Sequence, residues 1–200
     1  MLTSELEIEV STWESIYHLL LSLARRVRKT NFKPDMIVSV SRGGWIPSRV
    51  MSDLLEIPRI AIVGAEFYTG VAETKGAPVI TQPVSVSVRG TRVLVVDDIA
   101  DTGKSLRLVC THLEEHGTTE IRTATLYLKP WSTSIPDYYG KKTTSWVVFP
   151  WERKEIVRTI VDRYRLQGKS AAEAKEKLVT SGLERELVTQ FITELFGDKI

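Results

Sequence analysis

The run Val93 to Leu106, VLVVDDIADTGKSL, sets two adjacent carboxylates and a hydroxyl-rich, glycine-bearing turn between an apolar strand and a helix. Asp101-Thr102-Gly103-Lys104-Ser105 is suited to cradle a phosphate. Successive backbone N–H groups of a loop entering a helix converge on one anion, and the helix dipole reinforces them. Gly103 lets the backbone approach closely, and Thr102 and Ser105 add hydroxyl donors. Asp97 and Asp98 precede this cradle, which separates it from a P-loop. Carboxylates beside a phosphate are useful only if they face something else, and ribose hydroxyls or a hydrated Mg²⁺ fit that need. The segment therefore reads as a site for a 5-phosphorylated ribose.

The elements that must position these groups follow from periodicity. Met36 to Val40, Arg59 to Val63, Val93 to Val96, Ile121 to Leu128 and Ser145 to Phe149 read as strands. Pro78 to Val88 reads as a further strand at an edge, given Pro78 and Pro83. Helices are expected behind a capping box at Ser11 and Glu14, over Ile46 to Leu55, and over Gly103 to His116. Strands alternating with helices predict an α/β fold with a mostly parallel central sheet. Ligands in such sheets bind at the carboxyl ends of the strands. That rule gathers Ser41-Arg42-Gly43-Gly44, Asp97–Ser105, Lys129 and Trp146–Glu152 along one edge. Residues 64–77, polar with three glycines, read as a long loop or irregular hairpin. After Glu152 three short amphipathic helices follow, broken by Gly168 and Gly182, with a second capping box at Ser170 and Glu173. We therefore expect a domain over 1–152 and a helical extension over 153–200 packed on it.

Composition sets limits. The chain has 200 residues, 42% hydrophobic and 26% charged, a globular balance with room for one domain and an appendage. A net charge of +2 argues against a general nucleic-acid or membrane binder. The single cysteine, Cys110, rules out an internal disulfide and reads as a core residue. It also fits a reducing cytoplasm. His18, His112 and His116 read as structural. The start, MLTSELEIEVS, does not read as a secretory leader, and no run approaches the ~20 apolar residues of a membrane span.

The 93–106 segment resembles the phosphoribosyl-pyrophosphate (PRPP) signature of type I phosphoribosyltransferases, most closely the purine-salvage branch, and the resemblance spans roughly residues 10–155. It implies that fold, with the three helices as a C-terminal extension. It implies that Asp97 and Asp98 hold the ribose hydroxyls and the Mg²⁺ shell, and that Asp101, Thr102, Gly103, Lys104 and Ser105 hold the 5-phosphate. Asp101 further matches the carboxylate that faces purine N7. Ser41, Arg42 and Gly43 resemble the pyrophosphate loop, in which Arg42 and strained amides bind the leaving group. Residues 66–77 match the flexible catalytic loop, whose closure excludes water.

By the same likeness Lys129 reaches the purine 6-position, Trp146 stacks on the base, and the Val147 backbone edges it. Glu152 is a candidate for the metal and pyrophosphate side. The stretches IPDYY and WVVFPWE are similar to those of archaeal purine enzymes. The resemblance implies PRPP and a purine base as substrates, pyrophosphate and a purine nucleoside monophosphate as products, and a homodimer. Asp101 and Lys129 belong to the 6-oxopurine pattern. The tail is similar to a crenarchaeal group that includes adenine-using enzymes, and on that ground adenine is the expected acceptor, with a 6-oxopurine as the alternative. A PRPP-binding regulator without catalysis is the alternative of another class.

Overall fold

The computed structural model describes residues 7–67 and 77–197. Its elements run β1 (Ile8–Val10), α1 (Trp13–Arg28), β2 (Met36–Ser41), α2 (Trp45–Leu55), β3 (Ile60–Phe67) and β4 (Pro78–Gln82). They continue with β5 (Arg92–Ala100), α3 (Lys104–Glu115), β6 (Glu120–Leu128), β7 (Tyr138–Lys142), β8 (Trp146–Val148), α4 (Arg153–Leu166), α5 (Ala171–Thr180) and α6 (Arg185–Phe196). The chain forms two compact units, one of residues 16–143 and one of residues 1–15 with 144–200.

In the 16–143 unit six strands form one sheet in the order β4-β3-β2-β5-β6-β7. Every pairing is parallel except β3 with β4. Parallel strands covered on both faces read as continuous apolar runs rather than alternating ones. Val93, Leu94, Val95 and Val96 are all buried, as that predicts. One face packs Met36, Val38, Val40, Val63, Val93 and Val95 against Leu106, Val109 and Leu113 of α3. Cys110 lies against the same cluster, and burial pushes its thiol up to about 12, which makes it a core side chain.

The smaller unit pairs β1 with β8 in parallel, Ile8 opposite Trp146 and Val10 opposite Val148. Val148 shares a core with Ile156, Val157, Ile160, Ala174, Leu178, Val188 and Ile192, so the three predicted helices pack together. Ser170 caps α5 as expected, accepting the Glu173 N–H while the Glu173 carboxylate accepts that of Ser170.

Several boundaries differ from the sequence expectation. The first capping box sits one residue late: Thr12 and Ser15 bond reciprocally, backbone N–H to hydroxyl, at 3.0 and 3.1 Å. The cause is Ser11, whose N–H still donates to Val148 O at 2.9 Å, extending the strand ladder past β1. The strand expected over Pro78 to Val88 stops at Gln82, immediately before Pro83, which has no N–H to offer a ladder. It is the edge strand that its prolines predict. β5 runs on to Ala100, so Asp97 and Asp98 lie within the strand rather than beyond it. β1 and β7 have no counterpart among the strands expected from the sequence. Of the stretch matched to a catalytic loop, residues 68–76 lie outside the described residues.

Candidate functional site

The carboxyl ends of neighbouring strands assemble a site in the 16–143 unit. Ser39 of β2 lies opposite Val96 of β5, and two residues further along the same register Ser41 comes level with Asp98. The Ser41–Arg42 peptide is cis. The turn that follows passes directly over the carboxylate: a Cβ on Gly43 would lie 2.3 Å from Asp98 Oδ2. Only glycine fits there, which couples the Ser41–Gly44 turn to the β5 carboxylates. Arg42 itself is exposed to solvent at the same end.

Asp97 and Asp98 are adjacent in a strand, and successive side chains of a strand point to opposite faces. Asp98 is buried, with 8% of its surface accessible. Its N–H donates to Asp97 Oδ1 at 2.9 Å. Burial pushes the Asp98 carboxyl up to about 6. Burial first, and the charge of Asp98 second, hold Asp97 well above the ordinary carboxylate range. Two carboxylates raised in this way gain from any cation or ribose hydroxyl brought to them.

The turn after β5 enters α3 through Gly103, whose φ is +78°. The first intrahelical bond joins Arg107 N–H to Gly103 O at 3.1 Å. The amides of Ser105 and Leu106 come before it, at the end of the helix that presents N–H groups to an anion. Lys104 N–H lies 3.4 Å from Thr102 Oγ1. Asp101 and Lys104 are exposed and Thr102 and Ser105 partly so, hence the loop is open to a ligand.

Lys129 follows β6 at the level where Asp101 follows β5. Ala100 and Leu128 are register partners, and Lys129 N–H donates to Ala100 O at 3.0 Å. Lys129 is buried, at 7%. The segment beyond it grips the 101–105 turn. Thr133 donates to Thr102 O twice, from N at 3.0 Å and from Oγ1 at 2.8 Å. Trp131 Nε1–H donates to Asp101 Oδ1 at 2.9 Å. Gly103 permits this contact as well, because a Cβ there would meet Ser134 N at 2.6 Å. Sequence reasoning missed Trp131 and Thr133, which carry no motif of their own.

The remaining predicted site residues belong to the other unit. Trp146 is half-buried, packs against the helical core and donates its backbone N–H to Glu7 O at 2.8 Å. Val147 is buried at 5%, opposite Glu9. Glu152 precedes α4, with its Oε1 3.5 Å from Phe149 N. The structure thus brings Ser41–Gly43, Asp97–Ser105 and Lys129 into one site and holds Trp146, Val147 and Glu152 in a second group. The histidines stay outside both. His18 is exposed on α1, and His112 accepts the Val84 N–H at 3.2 Å beside His116.

A phosphoribosyl transferase domain model matches residues 9–155. The chain belongs to the phosphoribosyltransferase family. It is accordingly an enzyme of the pentosyltransferase class. The relatives include a xanthine-guanine phosphoribosyltransferase of Nitratidesulfovibrio vulgaris, 30% identical over 144 residues that make up 70% of this chain and 82% of that protein. A protein of the same name from Gluconobacter oxydans is 28% identical, again over 70% of this chain and 82% of the relative. Among solved structures, the purine phosphoribosyltransferase of Pyrococcus horikoshii Ot3 is 37% identical, with a TM-score of 0.66 over 73% of this chain and 94% of that one. The xanthine-guanine names of the two bacterial relatives weigh against the adenine expectation and towards the 6-oxopurine alternative.

Family membership brings Mg²⁺ into question as a partner of the sugar pyrophosphate. Among the described residues no group of three or more His, Cys, Asp or Glu side chains is arranged to cage a metal. Asp97 and Asp98 do offer the hard carboxylate oxygens that suit a hydrated cation drawing its other oxygens from a phosphorylated substrate and from water. Among the described residues no helix is long and apolar enough to cross a membrane.

Proposed function

We propose that the chain transfers a 5-phosphoribosyl group from PRPP to N9 of a 6-oxopurine. The anomeric C1–O bond to pyrophosphate breaks, the C1–N9 bond forms, and the purine loses one proton. The observation that carries the acceptor class is the placement of Asp101 and Lys129 directly after Ala100 and Leu128, register partners on adjacent strands. A carboxylate suits a protonated ring nitrogen, and an ammonium suits the carbonyl oxygen on C6. An amino group at the 6-position would gain nothing from the lysine.

The residues divide the work. Asp101 to Ser105 hold the 5-phosphate through amides and hydroxyls. Asp97 and Asp98 orient the ribose hydroxyls and hold the Mg²⁺ shell. Ser41, Arg42 and Gly43 take the departing pyrophosphate; Trp146 and Val147 are the residues assigned to the base, and Glu152 to the metal. Mg²⁺, when bound, offsets charge on the pyrophosphate. No side chain need attack carbon, so rate enhancement comes from placing the reactants and stabilising the leaving group. Residues 1–152 form the transferase domain in this reading, with 153–200 as its extension, and the working form is a homodimer.

Steady-state assays with PRPP, Mg²⁺ and each of hypoxanthine, guanine, xanthine and adenine test the proposal. Higher kcat/KM for at least one 6-oxopurine than for adenine is expected. Preference for adenine would overturn the acceptor assignment, and no pyrophosphate release with any base would overturn the reaction.

A further inference from the structure

Trp131 is 54% exposed, so its ring gains little from packing. It is nevertheless held at both ends. Its indole N–H donates to Asp101 Oδ1 at 2.9 Å. The Lys129 ammonium lies 5.2 Å from its ring centroid, within reach of a cation–π attraction. One side chain therefore links the two charged groups at the ends of β5 and β6. Its backbone is anchored too, because Thr133, two residues on, bonds twice to Thr102 O.

We infer that Trp131 is a positioning residue for the acceptor base. This rests on the purine-transfer reading above. A carboxylate has two oxygens and a broad terminal torsion. The indole N–H fixes Oδ1 of Asp101 and so aims Oδ2 at purine N7. The indole face holds Lys129 beside it, so the separation of the two recognition groups is set before a base arrives. Preorganisation of this kind strengthens binding and transfer without a direct contact to the reacting atoms.

The test is Trp131→Phe, which keeps an aromatic face for Lys129 and removes the N–H. Its melting temperature checks the fold. KM and kcat are measured for PRPP and for hypoxanthine and guanine, with inhibition constants for 7-deazahypoxanthine and 7-deazaguanine, which carry carbon in place of N7. The expected result is a drop of about tenfold in kcat/KM for the purines, the size of a lost hydrogen bond to a charged group. KM for PRPP and the inhibition constants of the 7-deaza compounds should stay as in the wild type. Loss of a merely structural side chain would weaken N7-bearing and 7-deaza ligands alike. That outcome, or unchanged kinetics, overturns the inference. Trp131→Ala, which also removes the face that holds Lys129, should weaken both ligand sets, and selective loss of the N7-bearing set alone would remove the role assigned to the ring. A wild-type enzyme silent on every base refutes the transfer reading itself. An active wild type with an indifferent variant refutes only the role of Trp131.

Discussion

Replacing Asp98 by Asn should stabilise the ligand-free protein while abolishing transfer. The Asp98 carboxyl is buried at 8% exposure, and its pKa of about 6 compares with an ordinary value of 3.8. The folded chain thus binds this proton more tightly than the unfolded chain does. The resulting penalty is absent well below the unfolded value, grows between about pH 4 and pH 6, and is fully present above that. At neutral pH it amounts to about 3 kcal/mol if Asp98 titrates alone. Relief of Asp97, whose carboxyl is raised in part by the Asp98 charge, belongs to the same event and is not to be added separately. Asparagine keeps the shape and removes the charge.

Urea denaturation in EDTA, without PRPP, measures the effect. At about pH 7.5 the variant should be more stable by about 2–3 kcal/mol, a midpoint shift of roughly 1–2 M for ordinary urea slopes. Near pH 4 the gap should shrink below about 1 kcal/mol. Equal midpoints at neutral pH, or a gap that ignores pH, would refute the account of a carboxylate held at a cost to the fold. Added Mg²⁺ with PRPP should raise the melting temperature of the wild type more than that of the variant.

Gly103→Ala combines a left-handed φ of +78° with a Cβ driven into Ser134 N and Ser132 Oγ. The conformation alone costs about 1–2 kcal/mol, and the displaced turn should raise KM for PRPP at least tenfold, as read from initial rates. Lys129→Met should lower kcat/KM for hypoxanthine and guanine by about 10–100-fold while leaving KM for PRPP near its starting value, and a parallel loss on both substrates would show instead that the buried lysine supports the fold. Ser170→Ala removes the acceptor for Glu173 N–H. It should cost about 1 kcal/mol of helix stability, visible as faster amide exchange in α5 with catalysis unchanged.

Much of the fold was readable because its signals are local. A short apolar run rich in β-branched residues, such as Val93–Val96, reads as a buried strand, and the glycines after α3, α4 and α5 mark true ends. The phosphate turn was readable for the same reason, since its amides, glycine and hydroxyls are contiguous. β7 escaped because Tyr138-Tyr139-Gly140-Lys141-Lys142 has neither alternation nor an apolar run; its pairing depends on β6 beside it. Asp137 helps set that register by accepting from Thr123 N and Oγ1, a contact across 14 residues that no window detects. The first cap slipped by one residue because Ser11 is claimed by Val148, far along the chain. Trp131 stayed hidden on similar grounds: its partner is Asp101, 30 residues earlier, and its exposure gives it the look of an ordinary surface aromatic.

The pairing of β1 with β8 has a consequence for how the molecule comes into being. Residues 8–10 find their partners only at residues 146–148, whereas the six-stranded sheet is complete within residues 16–143. Closing so long a loop is costly until the chain between is already compact. The sheet, with its 101–105 turn, can therefore form while the ribosome is still at work, whereas the β1–β8 pair must wait for residues 146–148. A cell making this enzyme would hold, for part of each synthesis, a chain whose 101–105 turn exists before the β1–β8 pair does.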